Sequence, residues 1–217
     1  MLGQSQTPCI QLVDFGLSDY EVVYAQQQAW LADRIAGRTN DVLLLGEHLE
    51  VITCGRRTQK EHLLAPDCPV IEIERGGNVT WHGPGQLVAY PIRALPPGER
   101  DLHRYLRQLE SVVIKTLDAF GLKGFRREGM TGVWIQQEEM PYKIASIGVA
   151  VRKWVTWHGV SLNVTNDLER LKQINPCGMD PSVMTSMQKA LPDVALVMDG
   201  VKKAFVQAYH QVMNPSE

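Results

Sequence analysis

Two residues have the type and setting for covalent chemistry: Cys177 in the run NPCG (175–178), and Lys143 at the head of KIASIGVAV (143–151). Cys177 stands between Pro176 and Gly178, where a sharp turn is expected after a short helical stretch. Such a turn carries a side chain out of the core and leaves backbone N–H groups beside it, which suits a nucleophile with oxyanion donors. A small structural turn is the other way to read it. A thiol of ordinary pKa, about 8.5, is only a few per cent thiolate at neutral pH, so a nucleophile needs a cation or base nearby. His82 and His158 qualify by type, and so does Lys143. Strict strand alternation places Lys143, Ala145, Ile147, Val149 and Val151 on one face, and Ile144, Ser146, Gly148 and Ala150 on the other. Lys143 then heads an apolar face, where it either serves as a base or extends its ammonium to water. The small residues of the opposite face leave room for a ligand or for a closely packed helix.

The second stretch is RGGNVTWHGPGQ, residues 75–86. It runs from strand to strand, so it lacks the helix N-terminus that a nucleotide phosphate loop requires. Gly76, Gly77, Gly83 and Gly85 let the main chain approach a guest without Cβ interference, and Pro84 stiffens the second turn. The stretch reads as the lining for an elongated ligand, or else as a long hairpin connection. His158-Gly159 lies mid-strand in VTWHGVSLNV, where a glycine marks a bulge or a close backbone approach. The six histidines show no paired ligand spacing and the four cysteines no CxxC pair, so no metal site is expected.

These residues need a scaffold. Ser18-Asp19-Tyr20-Glu21 has capping-box form and opens a helix to about Gly37. Leu102, Leu106, Leu109, Val113, Leu117 and Phe120 recur at helical spacing over 101–120, with Gly121 as a stop. Strands are expected at 41–47, 50–55, 70–75, 87–92, 132–136, 143–152 and 154–164. A helical turn follows over 168–174, then a short helix over 182–190 and a last helix over 193–212. Strands and helices mix without regular βαβ alternation, which predicts an α+β fold with a mixed or antiparallel sheet. The 217 residues suit one domain, 1–217. With 44% hydrophobic residues, 21% charged residues and a net charge of −2, no electrostatic case exists for nucleic acid or an anionic membrane. No signal peptide or membrane span is apparent, so the expected compartment is the cytoplasm, with reduced cysteines.

In order and spacing, RGGNVTWHGPGQLVAYPI, GVW (132–134), YKIASIGVAV, HGVSLNV and NPCGM together resemble the octanoyltransferase family of lipoate biosynthesis. Thr131 precedes GVW where many relatives have proline, a difference confined to a turn. The resemblance implies the fold of the biotin/lipoate protein ligase catalytic domain, a mixed β-sheet with packed helices. It implies transfer of an octanoyl or lipoyl group from acyl carrier protein to a lysine of a lipoyl domain, as the first step of endogenous lipoylation. Cys177 would be the acyl-thioester nucleophile and Lys143 its acid/base partner. Arg75, Gly76, Gly77, Asn78, Val79, Thr80, Trp81, His82, Gly83, Gly85 and Gln86 would bind substrate. So would Ser146, Ile147 and Gly148 on one strand, and His158, Gly159, Val160 and Ser161 on the next. No cofactor and no ATP are implied. The implied partners are octanoyl-acyl carrier protein as donor and, as acceptors, lipoyl domains of 2-oxoacid dehydrogenase complexes and the glycine cleavage H protein. The expected state is a monomer without nucleic acid or membrane partners. The competing readings are an ATP-dependent lipoate or biotin ligase, which needs no cysteine, a non-catalytic acyl-binding homologue, and a cysteine hydrolase with a histidine base.

Overall fold

A computed structural model describes residues 10–175 and 179–213. Cys9, Pro176, Cys177 and Gly178, the last three where a sharp turn was expected, lie outside the described residues. Strand β1 (Gln11–Ser18) pairs in parallel with β2 (Val42–His48), and α1 (Tyr20–Ile35) connects them. The helix cap is Asp19, whose carboxylate accepts the Glu21 N–H at 2.8 Å. Ser18 instead ends β1 and donates its hydroxyl to the Phe15 carbonyl, so the start expected from the capping box moves by one residue. Tyr20, Val23, Gln27 and Leu31 are the buried stripe of α1, at steps of three and four.

Among the described residues two sheets form. The first has seven strands in the order β1-β2-β6-β10-β9-β8-β7, and every pair beyond β1 and β2 is antiparallel. Its other members are β6 (Gln86–Ile92), β7 (Gly124–Arg127), β8 (Met130–Gln137), β9 (Met140–Arg152) and β10 (Val155–Asn163). The second sheet places β3 (Val51–Cys54) between β4 (Val70–Glu72), parallel to it, and β5 (Val79–His82), antiparallel to it. The α+β, mixed-sheet expectation holds. Strands β1, β5 and β7 were not expected, and β5 is formed inside the glycine-rich stretch.

Helix α2 (Leu102–Asp118) starts at Asp101, whose carboxylate accepts the N–H groups of His103 and Arg104. With α4 (Met198–Met213) it buries one face of the large sheet, where Leu109, Val113, Leu117, Phe205 and Tyr209 meet Leu43, Leu87, Val133 and Val160. Gly121, at φ +78°, ends the turn after α2 as expected. On the other face, α1 covers Val42, Leu44, Val88 and Ile92. The small sheet packs its own core, Ile52, Val79 and Trp81, against Leu171, Ile174 and Met184. The expected 182–190 helix is a 3-10 turn (Pro181–Val183) followed by one α-turn, α3 (Met187–Ala190), because Met184 and Thr185 extend to bond Lys143. The last helix begins at Met198 rather than 193. No helix among the described residues is long and apolar enough to cross a membrane.

Leu109 is fully buried at the centre of the α2 interface. Leu109→Ala is expected to lower unfolding free energy by about 2–5 kcal/mol, read from urea denaturation, while leaving the sheet-facing cavity residues in place.

Candidate active site

Lys143 reaches its position through an irregularity in β9. It stands opposite Trp134 of β8, yet Ala145, two positions on, stands opposite the adjacent Val133. Two steps of β9 thus span one step of β8, a β-bulge at Ile144. Val133 and Trp134 point to opposite faces, so their partners Ala145 and Lys143 do too. Ile144 and Ala145 both enter the core beneath α2. The bulge therefore moves Lys143 away from Ala145, Ile147 and Val149, where strict alternation puts it, and onto the side of Ser146 and Gly148.

The lysine is only 2% exposed. Its Nζ donates to the Thr131 carbonyl at 3.1 Å and lies 5.8 Å from the centre of the Trp134 ring. Its own carbonyl accepts the Thr185 N–H at 2.9 Å. Gly132 makes this packing possible. A Cβ there would lie 2.5 Å from the Ala145 carbonyl oxygen and 2.8 Å from Lys143 Cε, and its φ of +128° disfavours any other residue.

Beyond Ala145, β9 parts from β8 and keeps β10 as its strand partner, with Ser146 opposite Ser161 and Gly148 opposite Gly159. The glycine-rich loop lies over this segment. The Gly76 N–H donates to the Val149 carbonyl at 2.9 Å, and a Cβ on Gly148 would lie 2.9 Å from the Gly76 oxygen. Between loop, sheet and α2 is a cavity of about 670 Å³, within the usual range for small-molecule sites. Lys143, Ser146, Gly148 and Ser161 form part of its wall, and Met179 adjoins it.

Arg75 shapes the loop from inside. It is 7% exposed, and its guanidinium donates to the carbonyls of Gly76, Asn78 and Thr53 and to the Thr53 hydroxyl, at 2.6–3.2 Å. A buried cation is tolerated only when its donors are met in this way. Thr53 Oγ1 in turn faces His82 Nε2 at 3.4 Å, and His82 Nδ1 donates to Gln86 Oε1 at 2.7 Å. Gln86 Nε2 donates to Asn163 Oδ1, and Asn163 Nδ2 to the Thr185 carbonyl. A chain of hydrogen bonds thus runs from Arg75 to the segment that bonds Lys143.

Three imidazoles are buried nearby. His48 Nδ1 donates to the Ser18 carbonyl, which leaves Nε2 to accept from the Tyr90 hydroxyl at 2.8 Å. Burial holds His48 down to about 4. Burial, with His48 and Arg75 adding to it, brings His82 down to about 3. Burial and Arg75 bring His158 down to about 3. All three are therefore neutral near pH 7, which makes a charged histidine partner for a thiolate a poor reading of this site. His158 sits at φ +55°, where β10 bends before Gly159. A Cβ on Gly159 would strike the Ala89 oxygen at 2.3 Å, so that glycine answers a close approach of β6. Among the described residues the His158 Nε2, 3.8 Å from Glu74 Oε2, and the Tyr20 hydroxyl have no hydrogen-bond partner; both atoms are buried and both residues line the cavity. Polar atoms so placed are available to a guest.

Most of the expected binding residues converge on this cavity: Arg75, Gly76, Gly77, Asn78, Thr80, His82, Ser146, Ile147, Gly148, His158, Gly159, Val160 and Ser161. Val79 and Trp81 do not line it; they are core residues of the small sheet. Gly83 lies against the Trp81 ring, Gly85 against the Asn166 backbone, and Gln86 behind His82. Sequence reasoning missed Tyr20 and Tyr90, and it read Leu102 and Leu106 as core. These two form the end of the α2 stripe that faces the cavity, beside Met130. Cys177 was the other catalytic candidate, and it falls outside the described residues.

Fold and cavity define the lipoate-ligase class of catalytic domain. Residues 19–210 match the family described as the lipoyl protein ligase A/B catalytic domain. The solved structure of lipoate-protein ligase A bound with ATP superimposes with a TM-score of 0.70 at 15% identity, covering 96% of this chain and 86% of that one. That likeness is one of fold. The octanoyltransferase of Geobacter sulfurreducens is 45% identical over 180 residues, covering 83% of this chain and 75% of the relative. The octanoyltransferase of Synechococcus elongatus is 44% identical over 214 residues, covering 94% and 89%. The chain belongs to the octanoyltransferase family within the lipoyl protein ligase A/B catalytic domains, and it is an acyltransferase of protein lipoylation.

The neutral imidazoles link stability to pH. Their folded pKa values lie below the ordinary value of 6.5, so below that pH the unfolded chain binds protons that the folded chain refuses. Stability is complete above about pH 6.5 and is lost as the pH falls toward 3–4. The slope would be at most about 4 kcal/mol per pH unit for three groups. Urea unfolding at pH 7, 6 and 5 measures it, and His82→Gln should reduce the slope by about a third.

Proposed function

We propose that this enzyme moves an octanoyl group from octanoyl-acyl carrier protein to a lysine of a lipoyl domain through a thioester on Cys177, with Lys143 as acid/base. The observation that carries the reading is the placement of Lys143. It is buried, turned by the Ile144 bulge to the side of Ser146 and Gly148, and part of the wall of a cavity that Met179 also adjoins, two positions from Cys177 in the chain.

In the first step the Lys143 amine takes the proton of the Cys177 thiol, and the sulfur attacks the thioester carbonyl of the donor. The new C–S bond forms, the old one breaks, and the departing carrier thiolate takes the proton back from Lys143. In the second step the amine of the target lysine attacks the Cys177 thioester. An amide forms, the C–S bond breaks, and the proton lost by the amine reaches the Cys177 sulfur by way of Lys143. Thioester exchange is nearly isoenergetic and amide formation from a thioester runs downhill, so neither step calls for ATP. Burying the acyl tail, at about 0.8 kcal/mol per methylene, supplies on the order of 5 kcal/mol for binding. The glycines leave room for that tail, and Ser146, Ser161, Tyr20 and His158 offer polar atoms to its thioester head.

Intact-mass spectrometry of the protein mixed with octanoyl-acyl carrier protein, without ATP, tests the reading. An octanoyl adduct is expected on the wild type, discharged by an apo lipoyl domain, absent from Cys177→Ala, and formed at least about 100-fold more slowly by Lys143→Ala. Lipoyl-domain modification that requires ATP and free acid would instead mark a ligase. Arg56, Arg57 and Arg152 are exposed, and Arg57 stands at the cavity mouth, in keeping with an acidic carrier protein. The rate at limiting donor should fall with added salt; a rate indifferent to salt counts against that docking site.

A further inference from the structure

A buried carboxylate lies on the far side of the peptide that holds Lys143. Glu110, on α2, is fully buried. Its Oε1 accepts the Gly132 N–H at 3.0 Å, and its Oε2 accepts from Arg107 Nη1 at 2.7 Å and Arg126 Nε at 3.0 Å. The N–H of Gly132 and the carbonyl of Thr131 belong to one peptide group. In a trans peptide they point in opposite directions. Glu110 therefore holds one end of this group while the Lys143 amine bonds the other at 3.1 Å.

We propose that Glu110 is a positioning residue for the acyl transfer, fixing the Thr131–Gly132 peptide so that its carbonyl holds the Lys143 amine toward the cavity. The proposal rests on the reading of Lys143 as acid/base given above. Glu110 does not line the cavity, so it acts through the peptide and not on substrate. Three observations favour this over a role in stability alone. Val113 and Leu117, one and two turns further along α2, show that the same face accepts apolar residues, and a buried ion pair is often no more stabilising than a hydrophobic replacement. Next, Gly132, at φ +128°, has the backbone freedom of a glycine, so the orientation of the Thr131–Gly132 peptide is fixed by its hydrogen bonds and not by local sterics. Finally, a charged acceptor on an N–H polarises the amide and strengthens its carbonyl as an acceptor for the amine N–H.

The test is octanoyl loading from octanoyl-acyl carrier protein, with kcat and KM measured separately for Glu110→Gln and Glu110→Asp. The glutamine retains size and loses charge. The aspartate keeps its charge for Arg107 and Arg126 but is one methylene too short to reach Gly132. Both variants, if Glu110 positions Lys143, should show kcat reduced at least about tenfold with KM for the donor changed less than twofold. In a Lys143→Ala background, Glu110→Gln should then change the residual rate less than twofold, because its effect passes through the missing amine. If Glu110→Gln does not fold, the aspartate variant carries the test. A folded variant with kcat within twofold of wild type, or one that raises KM alone, overturns the proposal. If Lys143→Ala itself keeps the wild-type rate, the reading of Lys143 falls and takes this proposal with it; if only the Glu110 variants keep it, this proposal falls alone.

Discussion

A guanidinium has five N–H donors and no way to shed its charge, so it can leave water only where acceptors are already waiting. Arg75 is the residue around which this requirement organises the protein. Its acceptors are main-chain carbonyls of Gly76, Asn78 and Thr53, so the loop that carries it must fold back on itself and onto β3. That folding lays Gly76 over Gly148 and closes one side of the cavity. Burial, with the same charge adding to it, keeps His82 and His158 neutral. The hydrogen bonds that begin at Thr53 continue through His82, Gln86 and Asn163 to the segment beside Lys143. Loop shape and the hydrogen-bond chain toward Lys143 thus start from one buried cation, which also adds to the burial that keeps His82 and His158 neutral.

Much of this was legible from residue order. The apolar period of α2, the strands flanking the glycine-rich stretch and the two HG and SIG segments all appear where periodicity puts them. What escaped has identifiable causes. Strand β1 contains Asp14 and Gly16 and pairs with β2 across a helix, so neither composition nor a local turn announces it. Strand β5 is short and sits between glycines, and only its pairing with β3 makes it a strand.

At the site the limits are sharper. Period-two reading assumes an unbroken ladder, and the single added residue at Ile144 reverses which face Lys143 joins. Nothing in KIASIG marks a bulge. Tyr20 and Glu110 lie on helices far from the motifs in sequence, and each looks like an ordinary helix residue until the fold brings it to the site. Leu102 and Leu106 continue the apolar stripe of α2 by spacing, yet they line the cavity instead of entering the core. Val79 and Trp81 illustrate the converse. They alternate along β5 with the cavity-lining Thr80 and His82 and point the other way, as a strand demands.

The close approach of Gly76 to Gly148 has a consequence for how this cavity can change over time. Where those glycines meet, its width is set by main-chain atoms and by the Arg75 side chain that holds the loop. A larger residue at Gly148 would collide with the loop instead of reshaping the pocket. The walls contributed by Leu102, Leu106 and Met130 are side chains on α2 and the start of β8. These side chains, unlike the glycines, can be exchanged to change the volume of the cavity. The glycine side works as a fixed gauge against which any new guest is measured.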